Sequence, residues 1–264
     1  MAEYQIDVIR RAVAVLRALA HSQEAVGVSE LSRELAFGKA STFRILQTLT
    51  EEGFVRREET TKRYSLGPEL IVLGQAAAEA TDIRDHARPV MSRLSSETGL
   101  PTYLNVAGAR EVVCLEHVPS MGGINLYGAA GHTMPYHACP SGLVLLAFGP
   151  DERFERVTDG TLVRYARRTI IDPAKLARAL AVVRKQGYAT GVDDLEDGVT
   201  SVAAPIVGPS GDVIASLGLA GFTHLFHQRI EGLVDEVRGA ADELSTPVRS
   251  RLATTTARVS GGRG

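Results

Sequence analysis

Residues 39–67 read KASTFRILQTLTEEGFVRREETTKRYSLG, and the hydrophobic period changes partway through them. From Lys39 or Ala40 to Glu52 the spacing is helical: Thr42, Ile45, Leu46 and Leu49 share one side, with Ala40, Arg44, Gln47 and Glu51 opposite. Ser41 and Thr48 lie on one shoulder of that helix and Phe43 on the other. Gly53 ends the pattern, glycine being favoured just past a helix C-terminus. FVRREE and KRYSLG then follow as two short strand-like runs joined by Thr60-Thr61, a two-stranded hairpin. A helix that is apolar along one stripe needs neighbouring segments to cover that stripe.

The upstream segments suit that need. Residues 6–20, IDVIRRAVAVLRALA, place Ile6, Ile9, Val13, Leu16 and Leu19 at helical spacing, with Asp7, Arg10 and Arg17 elsewhere on the wheel. After a polar link, Ser29 is placed to cap VSELSRELA, a short helix carried by Leu31 and Leu35, and Phe37-Gly38 reads as a turn. Residues 1–67 therefore read helix, helix, turn, helix, hairpin. A further apolar helix, ELIVLGQAAAEA, fills 68–83, and Pro89 marks a break soon after.

The texture then changes. TYLNVAGA, EVVCLEHV, SVAAPIVG and DVIASLGLAG are strand-like, with GPSGD at 208–212 as the hairpin turn between the last two. Helical stretches lie near 90–97, 142–147, 173–186 and 225–244. The strands fall into two consecutive pairs instead of alternating with helices. That predicts an α+β domain over 84–250, with a mainly antiparallel sheet flanked by helices. Residues 251–264, ending TTTARVSGGRG, read as a disordered tail.

Composition excludes some classes of function. The chain has 264 residues, 44% hydrophobic and 23% charged, as globular proteins do. No apolar run reaches the roughly 18 residues of a membrane-spanning helix. MAEYQIDVIRRAV carries charge where a secretory signal needs an apolar core, so a cytoplasmic location is expected. Cys114 and Cys139 are too few for a disulfide framework. Net charge is −2; residues 1–67 hold 10 basic and 9 acidic side chains, and 68–264 hold 19 and 22. A nucleic-acid partner would thus need cations gathered on one face.

Two short helices joined by a tight turn, the second presenting polar groups outward, have the layout of a helix-turn-helix reader. Arg44 suits guanine, Gln47 adenine, and Phe43 a thymine methyl. Lys39, Ser41 and Thr42, in the first turn, suit phosphates that the helix dipole attracts. Arg56, Arg57, Lys62 and Arg63 would form a basic wing on the hairpin. Any three-helix bundle shows polar residues opposite its core, however, so patterning alone leaves a protein-contact scaffold open beside a reader of double-stranded DNA.

Residues 6–74 closely resemble the N-terminal domain of the IclR family of bacterial transcriptional regulators. The likeness is carried by Arg11-Ala12, by Ser41-Thr42-Phe43-Arg44-Ile45-Leu46-Gln47-Thr48-Leu49, by Glu51/Glu52-Gly53-Phe54-Val55 and by Arg63-Tyr64-Ser65-Leu66-Gly67, in order and at the family's spacing. The turn before Ser41 looks about one residue longer than the family's. HACPSGLVLLA at 137–147 and QGYATGVDDLEDGVTSVAAPIV at 186–207 resemble segments of the same family's effector domain. The resemblance implies a winged helix-turn-helix domain over 1–67, a linker helix over 68–83 and a GAF-like domain that binds a small molecule. It also implies a homodimer, which can pair into a tetramer, acting on a palindromic operator, more often as a repressor.

By the same resemblance the effector pocket would involve Met134, Pro140, Ser141, Asp193, Asp194, Ser201, Gly218 and Ala220, with polar help from Asn105 or Tyr127. Leu143, Asp194 and Ser201 depart from common family choices. Gly218 and Ala220 stand where relatives that bind small organic acids carry serine hydroxyls. Losing two hydroxyls enlarges the cavity and removes donors, so a larger, more apolar acid, such as an aromatic one, is expected. Cys114, His117, His132, His137, Cys139, Asp193 and Asp194 fit no closed zinc spacing. No G-x-S-x-G elbow or phosphate-cradling loop is present, so neither catalysis nor a cofactor or metal is expected.

Overall fold

The structure, a computed structural model, describes residues 6–22, 24–79, 83–120, 126, 130–227 and 229–260. It divides into two compact units, Met1–Ala80 and Thr81–Gly264.

In the first unit Asp7–His21 (α1), Val28–Glu34 (α2) and Lys39–Glu51 (α3) pack around buried Val15, Leu19, Leu31 and Leu46. Burying a leucine as fully as Leu31 or Leu46 contributes about 1.5–3 kcal/mol. Val55–Arg57 (β1) and Tyr64–Leu66 (β2) form an antiparallel hairpin, and Val55 and Tyr64 complete the core. Tyr64 also pairs with Val26 through N–H···O bonds of 2.8 and 2.9 Å, which stitches the hairpin to the segment before α2. Glu69–Glu79 (α4) follows, with Ile71, Val72 and Leu73 all exposed.

Two sequence expectations change here. Helix α2 begins one residue before Ser29; Gly27 stands at the cap, its N–H donating to the Glu30 carboxylate at 3.1 Å, and no serine hydroxyl caps the helix. On α1 only the C-terminal part of the expected stripe faces inward: Leu19 is buried and Leu16 packs against the core, whereas Ile9 and Val13, with Ile6 just before the helix, are 57%, 41% and 60% exposed and Val15 is buried instead. An apolar band this wide on a helix can face inward along either edge, and packing against α3 and β2 selects one.

The second unit starts with Ile83–Thr98 (α5), which runs straight through Pro89. The expected break is absent there because Asp85 and Pro89 both lie on the solvent side, where water can take over the bond that proline cannot donate. A six-stranded sheet comprises Thr102–Ala107 (β3), Val112–Val118 (β4), Thr133–Met134 (β5), Ala189–Val192 (β6), Val199–Val207 (β7) and Val213–Phe222 (β8). Its order is β5-β4-β3-β8-β7-β6 and its neighbours are all antiparallel, as the paired strand runs predicted. Gly208 closes the β7–β8 turn onto Asp212 with a 2.7 Å bond.

Alternate residues of the strands enter two cores. On one face Leu104, Val202, Ala204, Ile206, Ala215 and Leu217 pack against α5 and Ile230–Ser260 (α9), whose side chains are described to Ser245. Of the expected disordered tail at 251–264, residues 251–260 form the end of that helix, and 261–264 lie outside the described residues. On the other face Ala189 and Ala203 meet Pro140–Ala147 (α6) and Pro173–Gln186 (α8). Helix α8 has the predicted bounds, capped by Asp172 at its start and by Gly187 at φ 80°. Asp151–Thr158 (α7), β5 and β6 are short elements that the patterning did not resolve.

Candidate functional site

The outward side of α3 carries Lys39, Phe43, Arg44 and Gln47, all exposed, with Ser41 half-buried. Gln47 donates to Glu51 at 3.1 Å, and this holds its amide along the helix. On the hairpin, Arg56, Arg57 and Lys62 are exposed; Lys62 adopts φ 58° at the tip and pairs with Glu59 at 3.0 Å. Arg57 lies over the Tyr64 ring at 5.8 Å. A cationic ribbon and a polar helix face therefore belong to one small unit.

Two of the expected contacts are structural instead. Thr42 is fully buried, and its hydroxyl donates to Gly38 O at 3.2 Å, so it pins the first turn of α3 and faces the core. Arg63 points back into its own unit. Its Nε donates to Ala25 O, and its Nη2 meets Glu30 at 2.7 Å, tying the hairpin to α2. The Gly27 N–H and the Arg63 guanidinium hold the Glu30 carboxyl below the usual range.

In the second unit a small cavity, open to solvent, lies between the sheet and the N-terminus of α6. Asn105, Met134, Pro140, Ser141, Ser201, Gly218 and Ala220 line it, all of them expected; Tyr103, Cys139, Val202 and Leu219 line it too. Period-2 alternation from Asn105 would have pointed to Tyr103. Cys139 lies just outside α6 as its cap, taking the Gly142 N–H on Sγ at 3.4 Å. Burial pushes that thiol up to about 12, so it stays a neutral apolar wall. Asn105, 1% exposed, donates from Nδ2 to Ser141 Oγ at 3.0 Å.

Gly142 lets α6 start where it does. A Cβ at 142 would come within 2.1 Å of Tyr136 O and 2.6 Å of its carbonyl carbon. At Gly218 an added Cβ would meet Val202 O at 2.8 Å and Ser141 Oγ at 3.4 Å, so the ladder itself disfavours a side chain there.

The two aspartates part company. Asp193, at φ 57°, accepts Gly198 N–H at 2.7 Å and pairs with Arg167 at 2.7 Å; it organises its loop and does not line the cavity. The Arg167 bond, then the Gly198 N–H, hold its carboxyl below the usual range. Asp194 does not line the cavity either. Its carboxyl takes the space that a side chain at Gly191 would fill, close to Pro140, and burial pushes it up to about 7. Gly191 pairs with Ser201 across β6–β7, so the Asp194 carboxyl lies on the same sheet face as Ser201, beside Pro140 and outside the cavity lining. Tyr127 lies outside the described residues. No cluster of three metal-ligating side chains occurs among the described residues.

A winged helix-turn-helix unit joined in one chain to a sheet-and-helix domain with an open cavity has the layout of a DNA-binding transcriptional regulator with an effector domain. The sequence profile of the IclR helix-turn-helix domain matches residues 8–59, and that of the bacterial transcriptional regulator IclR C-terminal domain matches 75–246. The chain belongs to the IclR family. It is 30% identical to the HTH-type transcriptional regulator KipR of Bacillus subtilis over 90% of this chain and 95% of KipR. Its identity to the glycerol operon regulatory protein of Streptomyces coelicolor is 29%, over 82% of this chain and 85% of that protein. A solved IclR homologue from Microbacterium hydrocarbonoxydans, complexed with 4-hydroxybenzoate, is 29% identical over 92% of this chain and 99% of its own, with a TM-score of 0.75. These relatives are regulators, a non-enzymatic class.

Proposed function

We propose that this protein is a ligand-responsive repressor that acts in the cytoplasm as a homodimer on a palindromic operator and senses a small aromatic acid. The observation that carries the DNA half is the exposed Arg44–Gln47 face of α3 beside the Arg56, Arg57 and Lys62 ribbon. Arg44 and Gln47 read bases, Phe43 meets a thymine methyl, and Lys39, Ser41 and the ribbon hold phosphates. Two-fold protein symmetry is mirrored by the operator. Exposed Ile9 and Val13 of α1 and Ile71, Val72 and Leu73 of α4 supply apolar surface for the dimer.

For the sensing half, the cavity's apolar walls and the absence of a side chain at Gly218 favour a ligand broader than a two- or three-carbon acid. The 4-hydroxybenzoate held by the solved homologue fits that class. An effector regulates by binding the DNA-competent and incompetent states unequally; a coupling of about 1–3 kcal/mol changes occupancy roughly 5–150-fold.

The test is fluorescence anisotropy of the full-length protein on an operator isolated by in-vitro selection. Affinity should fall steeply between about 50 and 200 mM salt. Arg44→Ala should cost about 1–3 kcal/mol and relax preference at one base position. A flat salt response, with Arg44→Ala and Arg56→Ala binding like the parent, would leave the scaffold reading standing.

A further inference from the structure

One buried acceptor in the effector cavity is unsatisfied. Asn105 lines the cavity at 1% exposure, and its Nδ2 is committed to Ser141 Oγ, yet its Oδ1 has no hydrogen-bond partner. Ser216, opposite Asn105 in the β3–β8 ladder and fully buried, also leaves its hydroxyl unpartnered, so the two do not satisfy each other. A buried acceptor left bare is costly, so whatever fills this end of the cavity has to bring a donor. Ser141 Oγ already accepts from Asn105, which leaves its own hydrogen to give away.

The pair thus offers one acceptor and one donor side by side. A hydroxyl matches both at once: it gives its hydrogen to Asn105 Oδ1 and takes one from Ser141. An ionised carboxylate has no hydrogen to give and would face Oδ1 with lone pairs opposed. Resting on the reading of this cavity as the effector site, we infer that Asn105 and Ser141 recognise a hydroxyl on the effector. The effector is then a hydroxylated acid, and its carboxylate is bound away from this pair. Asn105 is the residue that sets this selectivity.

The experiment uses the full-length protein and two matched pairs of probes in calorimetric titration. They are 4-hydroxybenzoate against 4-methoxybenzoate, and the neutral 4-hydroxybenzamide against 4-methoxybenzamide. The methyl ethers keep the oxygen and lose its hydrogen. The hydroxyl member of a pair should bind about 10- to 100-fold more tightly, as loss of a partner to a buried acceptor implies. In Asn105→Leu that preference should fall to within a few-fold, with the melting profile showing that the variant folds. Should Asn105→Leu fail to fold, Ser141→Ala serves, and its preference should also shrink.

Equal binding of hydroxyl and methoxyl members overturns the hydroxyl assignment while leaving the acid reading intact. Binding of the hydroxybenzamide without either benzoate supports the assignment and removes the acid. Binding of none of the four overturns both.

Discussion

Gly142→Ala puts the architecture of the cavity to a test in which two physical effects oppose each other. Intrinsic helix propensity favours alanine over glycine by about 1 kcal/mol, so on that ground alone the variant gains stability. The tertiary structure demands the reverse. The new methyl would sit 2.1 Å from Tyr136 O and 2.6 Å from two further backbone atoms of Tyr136, none of which is a flexible side-chain end. Either α6 backs away from the turn before it or that turn moves. Overpacking of this kind costs about 1–3 kcal/mol, and that outweighs the propensity gain. Three rigid backbone atoms in the way put the cost at the upper end of that range, so net of the propensity gain about 1–2 kcal/mol is lost. At about 2–4 °C per kcal/mol for a unit of this size, the melting midpoint should drop by roughly 2–8 °C. The matched control is Gly232→Ala, exposed on α9 with nothing within 4 Å of the added carbon. It should gain about 0.5–1 kcal/mol. Urea unfolding followed by circular dichroism measures both, with the m-value checked for constancy. A Gly142→Ala protein as stable as the parent would refute the claim that the α6 start requires glycine.

Other consequences follow from the same geometry. Arg63→Ala should lower the melting temperature of the N-terminal unit while leaving the salt slope of DNA binding unchanged, because its guanidinium is spent on Ala25 and Glu30; a reduced slope would return Arg63 to the wing. Asp194 retains a proton in the native state, up to about pH 7, that the unfolded chain releases near the ordinary carboxylate value. Stability therefore declines as pH rises through that window, the loss being complete above it, and Asp194→Asn should gain progressively on the parent between about pH 4.5 and 7.5. Parallel thermal-shift curves for the two proteins would contradict the buried, protonated carboxyl. Ile71→Glu combined with Ile9→Glu should reduce the mass in sedimentation analysis and abolish tight operator binding; an unchanged assembly would show that α1 and α4 are not the dimer surface.

What the chain determines locally was legible without coordinates. The Lys39–Glu51 helix, its glycine stop, the Val55–Leu66 hairpin and the Pro173–Gln186 helix each rest on period, caps and turn residues within a dozen or so positions. The antiparallel sheet followed from strands arriving in pairs. Seven of the ten proposed effector positions line the cavity, through motif likeness and alternation along the strands.

Other features were settled only by contacts between distant parts of the chain. Which edge of α1 turns inward depends on α3 and β2, and whether Pro89 breaks a helix depends on which side meets water. Arg63 finds Glu30 at a sequence separation of 33, and Asn105 finds Ser141 at a separation of 36. A cation's or an amide's chemistry is written in its residue type, but its partner is whatever folding brings within 3 Å of it. For that reason the sequence could nominate Arg63 as a DNA contact, and the packing of the hairpin against α2 made it a clasp.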